Sequence, residues 1–184
     1  LRRRRFACWA PMAESSRLFF AVWPDEVACD KVAVLTERFH DEYGGRPVAR
    51  DSLHVTLAFL GETPNSRLPD LISIGHSIVI PPFDLKLSRA GCWSGGIFWL
   101  APSEPPPALM SLAATLTEKL QAAAISFDTK RFAPHMTLLR RAGFRGQEMA
   151  ISPVEFSVSD FVLVHSAKSS AGARYEIVER FPFG

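Results

Sequence analysis

Hydrophobic and polar positions repeat along this chain with two different periods, and the switches between them lay out the elements. RLFFAVW (17–23) is a short apolar run of strand type. Pro24, Asp25 and Glu26 then open a helical stretch to about Tyr43, with acids in the first turn, where the helix dipole favours them. SLHVTLAFLG (52–61) reads as the next strand, stopped by Gly61, and a second helix is predicted over 66–79, ahead of the Pro81-Pro82 break. FDLKLSRAG (83–91) alternates as a half-buried strand does, and IFWLA (97–101) follows a Gly95-Gly96 turn. Glu104 and the prolines at 105–107 begin a third helix, carried to about residue 124 by Leu109, Leu112, Leu116 and Leu120. A strand around 132–139, then VEFSVSDFVLVHS (154–166) and RYEIVERF (174–181), complete the pattern. Helices and strands are mixed without the strict alternation of a doubly wound parallel sheet, so an α+β fold with antiparallel sheets is expected.

Composition narrows the class. At 184 residues and 47% hydrophobic, the chain can bury a real core, and no apolar run approaches the roughly 20 residues of a bilayer-spanning helix. The three cysteines, Cys8, Cys29 and Cys92, form no CxxC pair, which points to a reducing, cytoplasmic setting. The formal charge of +2 depends on Arg2, Arg3, Arg4 and Arg5, which stand before Met12 in LRRRRFACWAP. Met12 is the expected natural start, with residues 1–16 a disordered or non-native leader; the alternative is a basic arm that contacts nucleic acid. The remainder, residues 17–184, is expected to form a single domain.

Two of the five histidines head the same phrase: HVTL at 54–57 and HMTL at 135–138. In a strand, the His and Thr of each H-x-T face the same way while the intervening residue faces the other. Two such half-folds facing one another would bring two imidazoles and two hydroxyls into one cleft. One neutral and one protonated imidazole can serve as base and acid in a single displacement near neutral pH. The threonine hydroxyls can hold the non-bridging oxygens of a phosphate, and no metal is required. A lone H-x-T is ordinarily a structural histidine beside a good strand former; the duplication argues for chemistry. His40, His76 and His165 lack such partners and read as surface or structural residues. There is no H-E-x-x-H or H-x-H, which disfavours a metal-dependent hydrolase. Lys130, Arg131, Arg140, Arg141 and Arg145 fall within residues 129–146 with no acid among them, a local basic segment suited to a phosphate contact.

RLFFAVWPDE, LHVTLAFLGE, FAPHMTLLR and RYEIVERF together resemble the 2H phosphoesterases. Within them the chain is similar to the bacterial RNA 2′,3′-cyclic phosphodiesterases, also called 2′-5′ RNA ligases, over residues 17–183. The resemblance implies a bilobal fold with two pseudo-symmetric lobes and a central cleft. It implies metal-free hydrolysis of a terminal 2′,3′-cyclic phosphate on RNA to a 2′-phosphate, with no cofactor. His54 and His135 match the catalytic positions, Thr56 and Thr137 the phosphate-binding positions, and Phe59 and Arg140 the pair that contacts the terminal nucleotide. An offset of five from each histidine has the wrong parity for the cleft face, so a twist or bulge near Ala58 and Leu139, or reach from the rim, is expected. Trp23 departs from the aliphatic or acidic residue expected there, with an unassigned effect on the rim. By preference His135 is the base and His54 the acid. The expected partner is an RNA end, a tRNA fragment included, and the expected state a monomer. Other readings are a 2′-5′ ligase or small cyclic-nucleotide phosphodiesterase using the same site, and an RNA-end-binding module without turnover.

Overall fold

The motif strands stand side by side at the middle of a nine-stranded antiparallel sheet. This computed structural model describes residues 14–169 and 172–184, so the expectations for residues 1–13, with Cys8 and Met12, lie outside the described residues, whereas Ser15 and Ser16, expected in the leader, belong to the first strand, where they pair with Pro64 and Thr63. The strands are β1 (Ser15–Val22), β2 (Arg46–Pro47), β3 (Val55–Pro64), β4 (Phe83–Trp93), β5 (Ile97–Ala101), β6 (Met136–Arg140), β7 (Met149–Val158), β8 (Asp160–Ser169) and β9 (Gly172–Pro182). Their order is β7-β4-β5-β6-β3-β1-β8-β9, with the short β2 beside β6. The helices are α1 (Glu26–Tyr43), α2 (Leu68–His76) and α3 (Pro107–Ala122). The fold is α+β and antiparallel, as the pattern predicts.

The sheet is two four-stranded halves sharing one rung. β3 and β6 meet only at Val55 opposite Met136, the middle residues of the two H-x-T phrases. From that seam outward, β3, β1, β8 and β9 match β6, β5, β4 and β7 place for place. In each half a strand, a helix and the motif strand follow one another in sequence: β1, α1, β3 and β5, α3, β6.

Local chemistry accounts for the helices. Asp25 caps α1, its carboxylate accepting from the Ala28 amide at 2.7 Å. Pro107 begins α3, where the missing amide hydrogen costs nothing, and Leu109, Leu112, Leu116 and Leu120 are buried against the sheet. The second helix is shorter than predicted. Residues 65–67 form a one-turn 3₁₀ helix, and the α-helix itself stops at His76, where its last carbonyls meet the Ser77 amide.

Three strand predictions change. The strand expected around 132–139 begins only at Met136, because Pro134 has no amide to offer the ladder. VEFSVSDFVLVHS is not one strand but parts of β7 and β8, divided at Ser159. There the chain leaves the β4 edge of one half and joins β1 in the other. The two-residue β2 was not foreseen; it places Arg46 opposite Arg140.

Candidate active site

Each motif histidine stands one residue before its strand, and each is oriented by its own backbone. The His54 Nδ1–H donates to the Ser52 carbonyl at 2.7 Å, and the His135 Nδ1–H donates to the Ala133 carbonyl at 2.8 Å. A carbonyl can only accept, so Nδ1 carries the hydrogen in both neutral rings and Nε2 is left with its lone pair as an acceptor. The clasp is the same in both halves: the acceptor is two residues back each time.

The same repetition resolves the parity of Phe59 and Arg140. Between β1 and β3, Phe20 lies opposite Ala58 and Ala21 opposite Thr56, so Leu57 is an extra residue. Between β5 and β6, Phe98 lies opposite Leu139 and Trp99 opposite Thr137, so Leu138 is extra. Both bulges fall three residues after the histidine, one residue earlier than expected. A bulge resets the alternation, and Phe59 accordingly turns to the cleft, lining the same groove as Thr56 and His135. Arg140 sits at the end of β6, where its charge opposes protonation of both His54 and His135.

Two glycines make the close approach behind Arg140 possible. A Cβ on Gly45 would stand 2.7 Å from the Arg140 carbonyl, and one on Gly96 would stand 2.7 Å from the Ala142 amide. Both have positive φ, which only glycine takes without strain. Arg141 itself is left-handed at φ 59°.

The groove between the halves has a volume of about 740 Å³. Besides Thr56, Phe59 and His135 it is lined by Trp93, Phe127, Lys130, Arg131 and Phe132, with one face of α3 as its far wall. The Asp128 amide donates to the Phe59 carbonyl at 2.8 Å, which ties this basic segment to the first motif strand. Lys130 is 3.2 Å from the Asp128 carboxylate, a pair open to solvent that reduces the local positive excess only modestly.

The surroundings of the two imidazoles differ. Trp23 stacks on His54 with centroids 5.2 Å apart and planes at 13°, and Phe19 and Tyr175 close on it at 4.9 and 5.2 Å. His135 meets one indole, Trp93, edge-on at 4.4 Å. Burial pushes the His54 pKa down to about 4, with charge on His135 and Arg140 acting in the same sense against the Ser52 carbonyl. Burial also lowers His135, again with Arg140 adding to it and the Ala133 carbonyl opposing. Both rings are therefore neutral at pH 7 while the cleft holds no anion. Among the described residues, no group of three His, Cys, Asp or Glu side chains is placed to hold a metal ion.

The sequence model of the 2′-5′ RNA ligase superfamily matches residues 24–169. The chain belongs to that superfamily, the 2H phosphoesterases. It is 35% identical over 176 residues to the RNA 2′,3′-cyclic phosphodiesterase of Escherichia coli K12, covering 92% of this chain and 98% of the relative. To the enzyme of that name from Thermus thermophilus it is 33% identical over 180 residues, covering 90% and 89%. The solved structure of E. coli LigT in apo form matches with a TM-score of 0.83 and 32% identity, over 93% of this chain and 99% of that one. As a 2H phosphoesterase the chain is an enzyme, and its fold is that of its LigT-type neighbours.

Sequence reasoning missed Trp93, Tyr175 and the stacking of Trp23. Trp23 stands out in the sequence only as a departure; the signal for its stacking is an aromatic at the end of a strand adjoining a motif strand. Trp93 and Tyr175 carried no local signal, since strand pairing brings them to the site. His40 and His165 are half-buried, and His76 is exposed, 3.7 Å from Glu179.

Proposed function

We propose that this enzyme opens the 2′,3′-cyclic phosphate at an RNA end to a 2′-phosphate, with two histidines and no metal. The observation that carries the reading is the doubled clasp. Two imidazoles are fixed in the same tautomer, with Nε2 left for chemistry, the charge of Arg140 acts on both, and Thr56 lines the same groove as His135. An anionic phosphate entering between them favours their protonated forms, so the substrate itself supplies the condition under which one ring carries a proton.

The packing supports His135 as base and His54 as acid. His135 borders open space, the route by which water arrives, whereas Trp23, Phe19 and Tyr175 crowd His54. His135 takes the proton of the attacking water as its oxygen bonds to phosphorus. The bond from phosphorus to the 3′ oxygen breaks, and His54 protonates that oxygen. Thr56 and Thr137 hold the non-bridging oxygens, Arg140 faces the developing charge, and Phe59 stacks on the terminal base. The partner is an RNA end. We further propose a monomer working in a reducing, cytoplasmic setting, which suits the free Cys29 and Cys92.

The test is a short oligoribonucleotide ending in a 2′,3′-cyclic phosphate, incubated in excess EDTA with the wild-type chain, His54→Ala and His135→Ala. Conversion to the 2′-phosphate by wild type alone is expected. Loss of activity on chelation would overturn metal independence, and full activity in either variant would overturn the two-histidine mechanism. Tight binding of the RNA end by folded wild type without turnover would favour a binding module.

A further inference from the structure

The Ser52 carbonyl can hold His54 only as firmly as its own segment is held. Arg50–Ser52 is a single turn of 3₁₀ helix with no capping side chain and no buried residue. It is closed by the Ser52 amide on the Ala49 carbonyl at 2.8 Å and the Leu53 amide on the Arg50 carbonyl at 3.2 Å. A turn this short has poor hydrogen-bond geometry and little rigidity of its own. The buried Leu53 anchors it on the side towards His54.

Arg50 anchors the other side. Its Nε donates to the Asp30 carboxylate at 2.6 Å, and its Nη2 donates to the Glu26 carboxylate at 2.7 Å and the Glu26 carbonyl at 3.2 Å. Nη1 turns back to Asp51, within the turn itself, at 3.3 Å. Glu26 and Asp30 stand four residues apart on one face of α1, where two like charges repel unless a cation lies between them. The planar guanidinium fork spans both carboxylates in one fixed geometry, which a single ammonium does not.

The anchor reaches both sides of the imidazole. α1 opens directly after Trp23, Pro24 and Asp25, and Trp23 is the indole stacked on His54. Arg50 therefore ties the turn that holds Nδ1 to the helix that follows the stacking ring. In the other half, the segment before His135 is secured by backbone, the Asp128 amide donating to the Phe59 carbonyl at 2.8 Å, while Lys130 pairs with Asp128 inside that same segment. His135 is thus a control within the same molecule.

We propose that Arg50 is a positioning residue for His54, acting through the Ser52 carbonyl to keep the ring in its Nδ1–H form with Nε2 free. The effect on turnover rests on the cyclic-phosphate reading above; the effect on the tautomer does not. The Arg50 side chain is 33% exposed and the carboxylates of Asp30 and Glu26 are 69% and 86% exposed, so these ion pairs add little to global stability. An arginine that served the fold alone would move the unfolding midpoint and treat the two histidines alike.

The experiment follows nitrogen-15-labelled imidazoles in the free protein at pH 7, where both rings are neutral, in wild type, Arg50→Met and Arg50→Lys. His54→Ala and His135→Ala assign the signals. In Arg50→Met the two His54 nitrogens should move towards the shifts of a ring exchanging between tautomers, those of His135 should stay, and Arg50→Lys should fall between. On a cyclic-phosphate oligonucleotide, Arg50→Met should lose about tenfold in kcat with KM within about twofold of wild type, and its urea midpoint should stay close to wild type. Unchanged His54 nitrogens in folded Arg50→Met, equal changes at His54 and His135, or a raised KM with kcat intact overturn the proposal. Should Arg50→Met fail to fold, the double variant Glu26→Gln with Asp30→Asn removes the partners instead and decides. Absence of hydrolysis by wild type overturns the parent reading, and the nitrogen shifts then decide the role of Arg50 on their own.

Discussion

His54 and His135 head the same phrase, donate to a carbonyl two residues back and precede a bulge at the same offset, yet one is enclosed by three aromatic rings and the other borders two open spaces. What the halves share sets the tautomer and aim of each ring. What they do not share, Trp23, Phe19 and Tyr175 around one ring against Trp93 beside the other, sets access to each ring. Symmetry thus gives two equivalent nitrogens, and its local failure gives them different surroundings.

The largest effect should come from removing either nitrogen. His54→Ala and His135→Ala should each lose about 10²- to 10⁴-fold in kcat. The double variant should be little slower than the worse single one, because the pair acts as a unit. Steady-state rates on a cyclic-phosphate oligonucleotide check this, and strictly multiplicative losses would break the pairing.

Thr56→Val and Thr137→Val come next, each expected to cost about 10²-fold in kcat. Strongly unequal losses would show that one half carries the phosphate. Phe59→Ala should act on KM, by about tenfold, leaving kcat nearly unchanged.

The two enclosures predict a graded pH response. Both imidazoles are held below the ordinary 6.5, so the protonated partner becomes more populated as pH falls, and kcat/KM should reach its optimum on the acid side of 6.5. The bell reports the coupled pair rather than either ring. Trp23→Ala should let water reach His54 and raise its pKa from about 4 towards 6.5, with a smaller rise at His135 in Trp93→Ala. Imidazole NMR titration of the free protein measures both, and equal rises would erase the distinction between the halves.

The smallest effect compares the strand ends. β3 reaches its left-handed residue at Gly61, φ 69°, and the second motif segment reaches its own at Arg141, φ 59°. Arg141→Gly should relieve strain and leave stability unchanged or raised by up to about 1 kcal/mol, whereas Gly61→Ala should cost about that much. Urea denaturation resolves the two signs.

The motif residues were legible because H-x-T is local: two letters in a strand report a shared face without any knowledge of the partner strand. Phe59 and Arg140 needed a bulge, which no Gly or Pro announces at Leu57 or Leu138, so only the family resemblance pointed to them. The break at Ser159 was invisible for a similar reason. Both sides of it are strand, and the chain changes neighbours without changing its pattern. Trp93 and Tyr175 reach the motif histidines only through sheet register, which pairs positions far apart in the chain.

The carbonyl clasps have an electrostatic consequence for substrate entry. A carboxylate in their place would also fix each tautomer, but it would carry a full negative charge. At about 5 Å from an incoming phosphate and an effective dielectric constant near 20, that charge would cost about 3 kcal/mol of repulsion. Ser52 and Ala133 aim the two rings with peptide dipoles alone. The cleft thereby keeps its histidines aligned while remaining hospitable to an anion.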